Sequence, residues 1–201
     1  MFNYKIVPVV RSNMANDIEA RIIAGEHWEF IDSTVHESSI DPNDKNVINS
    51  SQFVHLMYGD NGPCSAMYNE IAKPILWMLE EKTGLEVTRP QRIKANLLTI
   101  NGSTTANYNP PHIDLPDETY LSMVYYVNNS DGDTRIFNNT VEQGFCDMEM
   151  IYSNTPVKGT AIIFPSIRFH CSSNPIKHNA RAVINFVFAV TNTSLEKFLQ
   201  K

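Results

Sequence analysis

After Pro90 the chain is divided into short β-forming segments, near residues 92–100, 119–128, 134–138, 148–153, 159–164 and 181–190, set apart by clusters of Gly, Asn, Asp and Pro. No segment of that length can bury an apolar face alone, so many in succession predict antiparallel sheets packed face to face. The first part of the chain has a different pattern. Residues 2–10 carry β-formers in partial alternation, and Pro8 directs that strand to a sheet edge. Residues 16–25 offer a cap, a short helical pattern and a terminating Gly. Between Glu26 and Gln52 no period is sustained, which predicts short elements joined by a polar loop. Tyr68, Ile71, Ala72, Ile75, Leu76 and Leu79 keep helical spacing and predict a helix over 66–83, with Ser65 as cap, Gly84 at the exit, and Pro74 kinking it or delaying its start. Residues 195–201 read as a short surface helix.

The expectation is one domain over residues 1–201, mainly β with flanking helices. An N-terminal strand and supporting helices fill 1–90, with the helices buttressing an outer face, and a β core follows over 91–190. Hydrophobic residues at 42% and charged residues at 19% exclude a disordered chain. A net charge of −6 leaves no basic footprint for nucleic acid or an anionic membrane. The cysteines Cys64, Cys146 and Cys171 lack CxxC spacing, which argues against a disulfide scaffold or structural zinc. With no signal-like start and no long apolar run, the chain is expected to be soluble and cytoplasmic.

The chemistry concentrates in two places. In Tyr108-Asn109-Pro110-Pro111-His112-Ile113-Asp114, His112 and Asp114 lie two apart, so on an extended backbone both leave the same face and can share one metal ion. HxD alone is a weak signal, and both residues also fit a surface turn with Asp114 capping the segment before Pro116. A third ligand is offered by His170, placed after the apolar run 161–164 and a short turn. Two imidazoles and a carboxylate form the facial set of non-haem Fe(II) oxygenases. Arg181 opens a run, 181–190, too apolar for an exposed strand, so Arg181 and Asn185 share a face and need partners there. A dicarboxylate ligand would satisfy Arg181 through a charge-assisted pair, and so would an internal Asp or Glu.

The ordered series His112, Asp114, His170 and Arg181, with gaps of 58 residues from His112 to His170 and 11 from His170 to Arg181, resembles the 2-oxoglutarate- and Fe(II)-dependent dioxygenases, in particular their prolyl 4-hydroxylase branch. The stretch 123–128, a polar turn, and 131–137 are similar to the strand, turn and strand that follow the first two ligands in oxygen-sensing prolyl hydroxylases. The likeness covers about residues 92–190.

It implies a double-stranded β-helix (jelly-roll, cupin-like) core. It also implies His112, Asp114 and His170 as Fe(II) ligands and Arg181 as anchor for the far carboxylate of 2-oxoglutarate. Tyr126 matches a tyrosine that helps hold that carboxylate, and its alternative is a core aromatic, decided by strand register. Tyr108 lies four before His112 where relatives place a tyrosine three before. The Ser often found two after the basic residue is absent, leaving Thr134, Ser172 and Asn185 as candidates for its hydrogen bond. The implied reaction consumes 2-oxoglutarate and O2, releases succinate and CO2, and hydroxylates a C–H bond of a prolyl or other amino-acid side chain, in a peptide, protein or small molecule. Iron affinity is expected to fall below about pH 6, where free imidazole takes up a proton.

Other readings stay open: an oxygenase of nucleic acid or small metabolites, a cupin-like module that binds without turnover, and a β-sandwich with a chance motif. Residues 32–52 and 141–148 are the expected substrate covers. His27, His36, His55 and His178 lack partners at ligand spacing and read as structural or exposed; Trp28, Trp77 and the methionines at 14, 57, 67 and 78 read as packing residues. Asp131-Gly132-Asp133 has no Glu at calcium-loop spacing and reads as a turn.

Overall fold

The computed structural model describes residues 4–25, 28–35, 40, 44–140, 142–145 and 148–200. Eleven strands and three α-helices are found among them, in the order β1 (Lys5–Pro8), α1 (Ser12–Ile23), β2 (Glu29–Ile31), β3 (Gln52–Gly59), β4 (Gly62–Pro63), α2 (Lys73–Thr83), β5 (Val87–Thr99), β6 (Tyr120–Tyr126), β7 (Thr134–Thr140), β8 (Met150–Asn154), β9 (Thr160–Pro165), β10 (Arg168–Ser172), β11 (Ala180–Val190) and α3 (Asn192–Leu199). The large sheet runs β1-β9-β6-β11-β5-β3-β2, with β4 paired to β3, and the small one runs β10-β7-β8. All these pairings are antiparallel. The two sheets face each other as a jelly roll, and β1 lies at an edge, where Pro8 has no ladder bond to lose.

Alternation along the central strands separates the two faces of the large sheet. Leu121, Met123 and Tyr125 on β6 and Ala182, Ile184, Phe186 and Phe188 on β11 pack against Ile18 and Ile22 of α1 and Ile75 and Leu79 of α2. Their neighbours Val124, Tyr126, Ile162, Phe164 and Val183 turn inward and meet Ile136 of the small sheet. The helices therefore cover the outer face, as expected. The inward-facing side is left for polar residues, and Arg181 and Asn185 lie on it beside Val183.

Several element assignments are corrected. The N-terminal segment does more than support the core: β1 adds to β9, and β3, with no counterpart in the sequence reading, pairs with β5. The short turn expected before His170 falls at residues 166–167, and residues 168–172, unassigned in the sequence, form β10 by pairing with β7, far away in sequence. The helix expected over 66–83 opens as a π-turn over Tyr68–Ala72, and the α-helical part starts at Lys73. Pro74 has no N–H for the Glu70 carbonyl and its ring crowds that turn, so the turn widens and Pro74 falls at the start of α2, where the missing donor costs little. The helix ends at Gly84, which at φ 70° takes the left-handed conformation and donates its N–H to Glu80.

Phe186 is fully buried between α1, α2 and the sheet, so Phe186→Ala is expected to cost about 3–5 kcal/mol. Trp77 is 56% exposed, and Trp77→Ala is expected to cost less than about 1 kcal/mol. Equilibrium urea unfolding of both variants measures the contrast.

Candidate metal and dicarboxylate site

Pro110 and Pro111 deliver an extended segment to the open side of β10. There His112 and His170 exchange both backbone hydrogen bonds, each of 2.9 Å. This pairing sets the two imidazoles side by side, with centroids 4.6 Å apart. Each Nδ1 lies 3.1 Å from the carbonyl two residues earlier in its own strand, Pro110 for His112 and Arg168 for His170. A carbonyl only accepts, so Nδ1 carries the proton and Nε2 keeps its lone pair. That orientation is what a metal-binding imidazole needs.

Asp114 completes the group: its ligand atom and one from each histidine all lie within 4.8 Å of one another. Its carboxylate, 3% exposed, accepts from Arg92 at 2.6 Å on Oδ1 and from Ser122 at 2.7 Å on Oδ2. Burial alone would raise the Asp114 pKa, but His170, Arg92, His112 and the Ser122 hydrogen bond outweigh it and hold the group at about 2. Oδ2 is 3.5 Å from His170 Nε2. Two lone pairs directed together call for a cation between them, and two imidazole nitrogens with a carboxylate suit Fe(II). The donor set therefore fits the metal. For His112, burial pushes the imidazole pKa down to about 4, with His170 acting in the same direction.

One cavity has His112, His170, Thr134, Ser172, Arg181 and Asn185 on its wall. Arg181 is 3% exposed; its Nε donates to the Gly132 carbonyl at 2.7 Å and its Nη2 to Thr134 Oγ1 at 2.8 Å. Among the described residues no carboxylate pairs with it, and burial lowers its pKa. Tyr126 donates to the same Thr134 oxygen at 3.0 Å and accepts from Asn154 at 2.9 Å. Register turns Tyr126 inward and Tyr125 toward the helices; Tyr126 packs in the inner apolar cluster with Val124, Ile136 and Phe164, and its hydroxyl sits behind Thr134 rather than on the cavity wall.

Gly132 is packed so closely that a Cβ would come 2.4 Å from the Ser173 carbonyl and 2.9 Å from Arg181 Cδ. Asp131 holds this corner by accepting the backbone N–H groups of Ile176, Lys177 and His178 at 3.2, 2.8 and 3.2 Å. The Asp131 segment is thus a structural turn, and His178 joins it through a 3.0 Å contact.

Tyr108 stands apart. Its hydroxyl donates to Asp44, and its ring packs on Phe137 and beneath the Arg135 guanidinium, on the outer side of the small sheet. Asn109, three before His112, is the residue that turns inward: its amide reaches Ser172 Oγ at 3.2 Å and Asn174 at 3.1 Å and accepts the Ser50 N–H at 3.1 Å. The one-residue offset places Asn where the resemblance implies Tyr. Of the expected covers, Thr34 and Gln52 reach the cavity wall, while part of 141–148 lies outside the described residues. So do His27, His36 and Cys146. His55 contacts Ser65 at 2.8 Å, away from the metal group.

Sequence reasoning missed Arg92, Ser122, Lys94 and Asn96. The signal was present in Arg92-Ile93-Lys94-Ala95-Asn96, where polar residues alternate with apolar ones on a strand leading to HxD. A single hydroxyl at Ser122 inside an otherwise buried strand is a second mark of the same kind.

No protein-family model matches the chain, and no curated protein matches it. Its fold, however, is that of the 2-oxoglutarate and Fe(II) oxygenases. A prolyl-4-hydroxylase from Pseudomonas putida aligns with a TM-score of 0.54 at 14% identity, over 94% of both chains. An oxidoreductase of the 2OG-Fe(II) oxygenase family from Burkholderia pseudomallei aligns with a TM-score of 0.62 at 12% identity, over 93% of this chain and 85% of that one. The epimerase SnoN, in complex with Fe3+, alpha ketoglutarate and nogalamycin RO, gives 0.62 at 13% identity, over 94% and 79%.

Two measurements test the site. His112→Ala is expected to lower affinity for Fe(II), or for Co(II) as a probe, by at least about 100-fold, read by metal titration. The folded His112 pKa lies below the ordinary 6.5. On acidification the unfolded chain therefore takes up that proton first, and the His112 contribution to stability, complete above about pH 6.5, is lost as pH falls toward 4. Unfolding free energies of the metal-free protein between pH 7 and 4.5 should decline, and His112→Gln should flatten that decline.

Proposed function

We propose that the protein is a non-haem Fe(II)- and 2-oxoglutarate-dependent dioxygenase that hydroxylates a C–H bond of an amino-acid side chain, prolyl or other. Buried Arg181, with no carboxylate of its own among the described residues, in the cavity that His112 and His170 also line, carries the reading. An unpaired guanidinium in such a place costs several kcal/mol unless an anion arrives, and the far carboxylate of 2-oxoglutarate is that anion.

His112, Asp114 and His170 would hold Fe(II), which when bound supplies the O2-activating, oxidising chemistry that no side chain here possesses. The protein's part is positional. Arg181 and the Thr134 hydroxyl, with Tyr126 behind it, fix the cosubstrate's far end. Arg92 and Ser122 hold both oxygens of Asp114, so that carboxylate cannot swing away when the cavity is empty. Phe164 packs at 4.7 Å against the His170 ring and, with Val124 and Val183, keeps the inner wall dry. Similar folds bind a peptide of hypoxia inducible factor in one case and hygromycin B in another, so the scaffold admits both peptide and small-molecule substrates. With no basic surplus, nucleic acid is the weaker alternative.

Succinate release coupled to O2 uptake, Fe(II)-dependent and abolished by His170→Ala, is the expected result. Tight 2-oxoglutarate binding without consumption across a substrate panel would instead make the protein a binding module. Arg181→Met should weaken 2-oxoglutarate binding by about two to three orders of magnitude, measured by calorimetry with a redox-inert metal.

A further inference from the structure

On the inner face of the large sheet, Leu98, Asn96 and Lys94 of β5 stand opposite Arg181, Val183 and Asn185 of β11. From Arg181 to Asn185 is about 13 Å of extended strand, so Arg181 and Lys94 serve different ends of one cavity, both on its wall. Among the described residues the Lys94 ammonium has neither ion pair nor hydrogen bond. Asp114, the carboxylate whose charge it feels, is already taken by Arg92 and Ser122.

Beside Lys94 stand two buried acceptors without donors, Asn96 Oδ1 and Asn185 Oδ1. The Asn96 amide cannot turn to avoid this. Its Nδ2 donates to Gln52 Oε1 at 2.6 Å, and Gln52 is itself oriented by Nε2 donating to the carbonyls of Ser33 and Thr34 at 3.3 and 3.5 Å. This wall thus presents a cation that only donates and oxygens that only accept.

A single ligand satisfies both: one with a carboxylate next to N–H or O–H donors. Given the proposed activity, on which this inference rests, the cosubstrate's two carboxylates go to Arg181 and to the metal, leaving Lys94 for the substrate. We propose that the substrate is a free α-amino acid, its carboxylate held by Lys94 and its ammonium by Asn96 and Asn185, rather than an internal residue of a peptide.

The test uses the full chain loaded with Mn(II), which does not support turnover, and reads melting-temperature shifts. First 2-oxoglutarate is added, then each of the twenty common L-amino acids, their carboxamides and their N-acetyl amides. The expected result is a shift from 2-oxoglutarate, a further shift from at least one free amino acid, and binding weaker by about 10-fold or more for its carboxamide. Lys94→Met should weaken that amino acid by about 10- to 100-fold, with the 2-oxoglutarate shift unchanged, and Lys94→Arg should restore part of it. If Lys94→Met gives no cooperative melt, Asn96→Leu takes its place and should weaken the amino acid similarly.

Carboxamides or N-acetyl amides binding as well as the free acids would overturn the proposal. A 2-oxoglutarate shift with no response to any amino acid would overturn it too, leaving the oxygenase reading intact. Loss of the 2-oxoglutarate shift in Lys94→Met would assign Lys94 to the cosubstrate. No 2-oxoglutarate shift in the unsubstituted protein would overturn both readings.

Discussion

A guanidinium buried with no carboxylate partner among the described residues is the constraint around which this molecule is organised. Arg181 stands at the start of a strand whose alternate residues, Ala182, Ile184, Phe186 and Phe188, are fixed against the helices. With that face committed, the period of two leaves Arg181 no way out to solvent. Its Nε and Nη2 protons go to neutral oxygens of Gly132 and Thr134. These satisfy hydrogen bonds but not charge. Much nearby structure serves that side chain, from the glycine that admits its Cδ to the Asp131 cap that holds the glycine's loop.

The candidate metal group is built on a different principle: backbone pairing places side chains. His112 and His170 are held by reciprocal N–H to carbonyl bonds between segments far apart in the chain. The same carbonyl-rich surroundings fix the tautomer of both rings. Ser50, Asn109 and Asn174 then tie the β3 approach, the HxD segment and the exit of β10 into one buried network, with Ser50 Oγ donating to Asn174 at 2.8 Å and Asn174 to the Thr99 carbonyl at 2.9 Å. Little reorganisation would be needed to bind a metal there, because the candidate ligand side chains are oriented by bonds already made.

The legible and illegible parts of the sequence divide along a physical line. The central strands were readable because β6, β9 and β11 are buried on both faces and show nearly continuous apolar runs. Strand β10 was not, since Arg168-Phe169-His170-Cys171-Ser172 has no clear period and becomes a strand only by pairing with β7. Strand β3, by contrast, has a β-forming run, Phe53-Val54-His55-Leu56-Met57-Tyr58, that the sequence reading left unassigned. Among the site residues, His112, Asp114, His170 and Arg181 were marked by order and spacing. Tyr108 was misleading because two prolines interrupt the alternation between it and His112, and Asn109 took the inward position.

By itself the sequence determined the candidate ligand residues and the period of each long strand, because ligand types and alternating burial are local properties of residues and neighbours. Only the tertiary structure decided which face each strand presents and what Arg92, Lys94 and Asn96 confront. It also decided that four groups scattered over some seventy positions (112 to 181) line or adjoin one cavity. Those outcomes depend on register between strands remote in sequence, where a shift of one residue exchanges the two faces of a strand.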